Sequence, residues 1–249
     1  GLLPASVRLV DNFQFRFGSA LRPRPTFTQA LLRRVQKQYL LKFKQFDPTQ
    51  LVVATLVLEG ARQEVQQQAK ALFALAKQYH GVVGGAGNGK RGYLLTYAIA
   101  YIRDFLMQYY VVGETYETTV AWSNIHTLCQ AVVQEAEKLH SHYKLPGKPY
   151  VSYRVTQCYH TGVCIYFTHG FYTKGVTNVE EVLRTIDHRL RQVMMDNGGS
   201  ISHHHGVGKI RKDFLPQLLS PASIALLKQT KQAVDPQNIF GIRNNVCAE

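Results

Sequence analysis

The sequence predicts an α+β fold: an antiparallel sheet covered by helices, followed by a C-terminal helical segment. Three observations carry this. Two runs rich in β-branched and aromatic residues, 150–158 and 163–171, flank a turn at His160 to Gly162 and read as a hairpin. Strand and helix patterns intersperse without the strict strand–helix–strand repeat of a parallel sheet. In 178–197, Val179, Val182, Leu183, Ile186, Leu190, Val193 and Met194 recur at helical intervals, the signature of a helix with one buried stripe.

Taken in order, residues 6–12 (SVRLVDN) alternate as a strand, and LRPRP (21–25) breaks the chain after it. Residues 26–43 are helical in pattern. The β-branched run 51–60 is a strand ending on a turn glycine, and 61–79 place Val65, Ala69, Leu72, Leu75 and Ala76 on one helical stripe. The glycine-dense 80–92 reads as a loop. Residues 92–112 form the longest apolar stretch, but Arg103 and Asp104 near its middle are too costly for a membrane span, so a buried helix is expected. A further helix runs from 122 to 142. In the second hairpin strand, alternation sets Cys164, Tyr166 and Thr168 on one face and Ile165, Phe167 and His169 on the other. One face must meet a core and the other is free to line a site. Thr177 and Glu180 have capping-box spacing for the next helix, which Gly198 and Gly199 stop. The last helix begins at Ser220-Pro221, serine as cap and proline at the first turn.

The chain has 249 residues, 45% of them hydrophobic, enough for an ordinary core. Its 29 Lys and Arg against 16 Asp and Glu give a formal charge of +13, a balance that points to phosphate-bearing partners. The basic residues are scattered rather than arrayed in a stripe, which argues against nucleic acid. Cys129, Cys158, Cys164 and Cys247 show no C-x-x-C spacing, so reduced thiols are expected. The chain opens on GLLPASVR without a methionine, which suggests a fragment or a processed chain.

Four motifs bear on chemistry. GGAGNGKR (84–91) imitates a phosphate-binding P-loop, but Arg91 stands where a magnesium-binding hydroxyl is required, and a plain glycine turn explains it as well. GGSISHHHGVGKIR (198–211) sets His203, His204 and His205 among glycines and ahead of Lys209 and Arg211. Adjacent side chains on an extended loop point to alternate sides, and no neighbouring Cys, Asp or Glu completes a tetrahedron, so no metal is expected there; acid–base chemistry or a solvated loop remain. Tyr166 suits either a strand-face core position or a catalytic role. Arg103 needs a partner, and Asp104, about 100° away around a helix, is a weak one; an incoming anion is the alternative. Arg8 is read as an edge residue of the first strand.

Together GLLPASVRLVDN, NGKRGYLLTYAIAYIRDF, YRVTQCYHTGVCIYF, GGSISHHHGVGKIRK and VDPQNIFGIRN closely resemble the alkylglycerone-phosphate synthase branch of the vanillyl-alcohol-oxidase type of FAD flavoproteins. The resemblance extends in register over 1–244 and covers only the C-terminal part of such enzymes. It implies a substrate-binding cap domain at 1–175 and a C-terminal helical segment at 176–249 carrying the histidine loop, with the FAD-binding domain absent from these residues. It also implies an ether-lipid activity: exchange of the acyl chain of acyl-dihydroxyacetone phosphate for a long-chain fatty alcohol, with FAD and without net oxidation. Carried over by motif, Tyr166 is an acid/base residue, His203, His204 and His205 line the reaction centre, Arg103 binds substrate phosphate, and Arg8 shapes the flavin side. His160 stands in the hairpin turn where the family has an acidic residue.

A homodimer, peripheral membrane contact and a peroxisome or related organelle follow from the same resemblance, although NNVCAE is not an S-K-L type ending. Ile165, Phe167, Phe171 and the helix at 94–112 are expected to line an alkyl channel. Two other readings stay open: a related FAD-dependent oxidase or dehydrogenase of a hydroxylated substrate, and a non-catalytic module for anionic lipid.

Overall fold

A computed structural model describes residues 3–21 and 24–246, with the backbone alone for 91–96 and 98–100. Cys247, residues 22 and 23 of the LRPRP break and the first two residues of GLLPASVRLVDN lie outside the described residues, as do the side chains of 91–96 and 98–100.

The order is β1 (Ser6–Val10), α1 (Asn12–Ala20), α2 (Phe27–Gln38), β2 (Val53–Val57), α3 (Arg62–Gln78), α4 (Ala86–Gln108), β3 (Val111–Ala121), α5 (Ile125–His142), β4 (Tyr150–Cys158), β5 (Gly162–Tyr172), α6 (Val179–Asp196) and α7 (Pro221–Val234). All five strands form one antiparallel sheet in the order β2-β1-β4-β5-β3. The expected α+β class with an antiparallel sheet is what forms.

The strand alternation of β5 decides the layering. Ile165, Phe167, His169 and Phe171 turn to one side and are all but fully buried. On that side Tyr116 and Val120 of β3 meet Leu128, Val132 and Ala136 of α5 and Ile186, Leu190 and Met194 of α6 in one apolar cluster. This cluster draws on residues from both sides of position 175. Burying each large side chain there contributes about 1.5–3 kcal/mol, so the α5–α6 layer is the anchor of the sheet. The other side of β5, with Cys164, Tyr166 and Thr168, is left for a site.

Several expectations need correction. The helix expected to run to 112 stops at Gln108, and residues 111–121, which the sequence left unassigned beyond 112, are an 11-residue strand. Asn12–Ala20 is a helix, capped by the Asp11 carboxylate accepting from Gln14 N at 2.8 Å. The glycine-dense segment becomes helical at Ala86, so most of the P-loop-like run forms the first turns of α4 and not a loop. Among its described side chains that helix carries exposed aromatics where burial was expected: Tyr97, Tyr101 and Phe105 are all more than half exposed. α6 is entered through Asn178 in the left-handed conformation (φ 54°) rather than through a Thr177 capping box. Ile165, Phe167 and Phe171 belong to the core cluster and so do not line an alkyl channel. Among the described residues no helix is long and apolar enough to cross a membrane, in line with the reading of 92–112, and Cys129, Cys158 and Cys164 are free thiols.

Candidate active site

The site grows from one row across the sheet. Val10 of β1 pairs with Arg154 of β4, Arg154 with Tyr166 of β5, and Tyr166 with Glu117 of β3. Directly paired residues share a face, so the guanidinium, the phenol and the carboxylate all stand on the face away from the core. The Arg154 guanidinium lies 4.2 Å from the centre of the Tyr166 ring, and the Tyr166 hydroxyl donates to Thr115 Oγ1 at 3.1 Å. Burial lowers the pKa of Arg154, and the nearby charge of Arg8 acts in the same direction. Arg8 shares this face, two residues before Val10 on β1.

The histidine loop reaches the row from α6. Gly198, at φ 80°, ends the helix, and Gly199 passes so close to β3 that an added Cβ would lie 2.6 Å from Thr118 Oγ1 and 2.7 Å from Met194 O. Ser200 then docks on the outer edge of β3: its N–H donates to Thr119 O at 2.9 Å, its hydroxyl accepts from Thr119 N at 2.8 Å, and its carbonyl accepts from Thr118 Oγ1 at 2.8 Å.

Beyond Ser200 the chain curls around Glu117. Its Oε1 accepts from Ser202 Oγ (2.7 Å), His204 N (3.1 Å) and His205 N (2.8 Å), and its Oε2 accepts from His203 N. Burial by itself pushes the Glu117 pKa up, but these four donors together outweigh it and hold the carboxyl below its ordinary value. A buried, ionised carboxylate is therefore the mould on which all three histidine backbones are set.

The imidazoles follow from that mould. His203 Nε2 is 2.6 Å from the Tyr159 hydroxyl, and its Nδ1 is 3.0 Å from Nδ1 of His204. The His204 ring stacks on Tyr166 with centroids 6.2 Å apart, and His205 meets the same ring edge-on at 5.4 Å. Buried Arg211 donates to Gly206 O at 2.8 Å and stands 3.4 Å from His205 Nδ1. Burial, more than offsetting the pull of Glu117, lowers the His205 pKa and keeps that imidazole neutral.

Of the residues singled out from sequence, the structure thus brings Tyr166, His203, His204 and His205 into one cluster and puts Arg8 on the same sheet face. Arg103 is different. It lies on α4 with a 69% exposed side chain, Asp104 is its neighbour at 3.8 Å, and no contact joins it to the histidines among the described residues. The expectation that adjacent imidazoles point to alternate sides also fails for His203 and His204, because the loop is wrapped around a carboxylate and not extended. Glu117 and Cys164, distant in sequence, supply the acid and thiol neighbours that sequence reasoning found missing. Glu117, Arg154, Tyr159 and Ser202 were not anticipated. Two acids, Glu114 and Glu117, within the β-branched run VVGETYETTVA were the available signal.

A family profile described as FAD linked oxidases, C-terminal domain, matches residues 1–243. The chain belongs to this family. Within the FAD-linked oxidase C-terminal domain family, similar proteins include alkyldihydroxyacetonephosphate synthase of Caenorhabditis elegans, 44% identical over 97% of this chain and 40% of the relative. The protein of the same name from Dictyostelium discoideum is 26% identical over 97% of this chain and 39% of its own length. The chain therefore spans about two fifths of the curated relatives it matches. A solved structure of alkyldihydroxyacetonephosphate synthase superposes with a TM-score of 0.68 at 20% identity, covering 96% of this chain and 40% of that one. That likeness bears on the fold: this chain has the fold of an FAD-linked oxidase C-terminal domain.

Proposed function

We propose that this chain is the substrate-facing part of an alkyldihydroxyacetonephosphate synthase, which exchanges the acyl chain of acyl-dihydroxyacetone phosphate for a long-chain fatty alcohol. The observation that carries the reading is the contact of Tyr166 with His204 and His205 on a loop moulded by Glu117. The similarity to synthases supports it.

The exchange releases a carboxylic acid and consumes an alcohol, with no net change in oxidation level. A proton must leave the carbon beside the ketone and one must return to it, while the proton given up by the alcohol balances the carboxylic acid released. Neutral imidazoles and a phenol are groups suited to these transfers near neutral pH. Arg211 faces His205 Nδ1 as a donor, which leaves the Nε2 position to carry the His205 proton. Tyr166 has its hydroxyl fixed on Thr115 and its ring fixed between Arg154 and two imidazoles, so its acidic proton is held at one place. Arg154 is the guanidinium beside these groups, and charge developing on the ketone oxygen is stabilised by such a cation. Phosphate binding by Arg103 rests on the resemblance alone.

FAD, when bound, supplies an electron-accepting ring to the reacting carbon. The residues present fit one side of it: an exposed His204 ring and cationic Arg154 stand on a sheet face that α5 and α6 leave uncovered. The described chain offers no glycine-rich cradle for the pyrophosphate, which fits a cofactor held mainly by another domain.

The same reading includes a homodimer, a peroxisomal setting and peripheral membrane contact. Exposed Phe27, Leu31 and Val35 beside Arg33, Arg34 and Lys37 on α2 support the last. A related FAD-dependent oxidase of a hydroxylated substrate is the second reading, favoured by the family description. The test joins this chain to its FAD-binding portion and follows labelled fatty alcohol into ether product. Full activity in a His204→Ala, Tyr166→Phe double variant refutes the site. Dye reduction by a hydroxy acid, with no ether product, transfers the assignment to the second reading.

A further inference from the structure

We infer that Glu117, Cys164, His203 and His204 form a binding site for a zinc-class divalent metal ion. A carboxylate oxygen, the Cys164 sulfur and a ring nitrogen from each histidine all lie within 4.8 Å of one another. In a tetrahedral zinc site with metal–nitrogen bonds of about 2.0–2.1 Å and metal–sulfur bonds near 2.3 Å, donors sit about 3.3–3.7 Å apart. The two histidine Nδ1 atoms are already 3.0 Å apart and His204 Nδ1 is 4.0 Å from Glu117 Oε2. Closing the site therefore takes shifts of about an ångström, mostly in side chains at the loop.

The surroundings are those a metal site requires. A metal-binding imidazole commonly has its other nitrogen fixed by a hydrogen bond, and His203 Nε2 is fixed by the Tyr159 hydroxyl at 2.6 Å. The Glu117 carboxylate is held by Ser202 and three backbone N–H groups. Two Nδ1 atoms facing each other at 3.0 Å need a proton between them, and a cation can replace it. Cys164 is fully buried, so its sulfur is shielded from solvent and faces the other three donors. His204, with 48% of its side chain exposed, is the way in. Sulfur, two imidazoles and one carboxylate select zinc or cobalt over magnesium or calcium.

The consequence rests on the function proposed above: a bound ion occupies the nitrogens that would move protons, so the metal-loaded site is switched off. The binding itself does not depend on that reading, and its test uses neither flavin nor turnover. The tag-free chain is titrated with Co²⁺, followed by the absorption of a thiolate-to-cobalt bond, and Zn²⁺ is used to displace it. One equivalent should bind with that absorption. Cys164→Ser should abolish the band, His204→Ala should weaken binding at least about tenfold, and Tyr159→Phe should weaken it by about ten- to a hundredfold as an outer partner. Cys158→Ser should change nothing. Absence of binding, or binding of equal strength in Cys164→Ser without a thiolate band, overturns the site; the second result is chelation by the histidine triplet alone.

Discussion

Replacing Glu117 with glutamine is the sharpest test of how the histidine loop is built. Glutamine keeps the volume and one carbonyl oxygen, which can still accept from Ser202 Oγ, His204 N and His205 N in the place of Oε1. The amide nitrogen must then stand at the Oε2 position, where it meets the N–H of His203 donor to donor. Hydrogen bonds to a charged acceptor are worth about 1 kcal/mol more than neutral ones, and a buried unsatisfied donor costs about 1–3 kcal/mol. Three weakened bonds and one lost bond sum to roughly 4–6 kcal/mol, reduced to about 3 kcal/mol if the loop relaxes or admits water. Because the loop lies outside the α5–α6 core cluster, this loss should be spent locally. Amide hydrogen exchange at His203, His204 and His205 should accelerate by about a hundredfold, with a much smaller change in the core of α6. Exchange rates at those three amides within about threefold of wild type would refute the moulding argument.

Gly199→Ala tests the approach of the loop to β3: the new methyl would sit 2.6–2.9 Å from Thr118 Oγ1, Met194 O and Leu128 Cδ1. It should destabilise by about 1–3 kcal/mol, read as a lowered denaturation midpoint, and an unchanged midpoint would show that the loop docks elsewhere. His169 tests the core: it is 1% exposed with neither ring nitrogen bonded, and burial, aided by His140, holds its pKa down to about 4. His140 of α5 and Glu114, its register partner on β3, are the titratable groups that face it. The unfolded chain takes up this proton near pH 6.5 and the folded chain only near 4, so stability is full above 6.5 and falls as pH drops between the two. The loss is about 3 kcal/mol. Denaturant titrations at pH 7 and pH 4.5 measure it, and a His169→Gln variant with the same pH dependence would remove His169 as the cause.

The hairpin, the two-faced β5 and α6 were legible because each follows a short-range period that burial enforces. The strand β3 was not. Its apolar start at Val111 and Val112 continues the hydrophobic run of α4, and only the alternation in ETYETTVA separates the two. Missing β3 hid Glu117, and with it the reason for three consecutive histidines: their backbone N–H groups, 86–88 residues away in sequence, share one carboxylate. Tyr166 was legible as a face but not as a neighbour of Arg154, since that pairing depends on hairpin register across a bulge between Val155 and Gln157. Arg103 was picked out because a cation in an apolar run is conspicuous. In the fold that run is solvent-facing at Tyr101 and Phe105, so a cation there needs no special explanation.

The outer margin of β3 is the last strand of the sheet, and Ser200 is what occupies it. Bare strand margins recruit other chains through their unused amides and carbonyls. The segment that carries the three imidazoles is thus also a guard against self-association. Variants that release it should begin to clump, with β3 as the template.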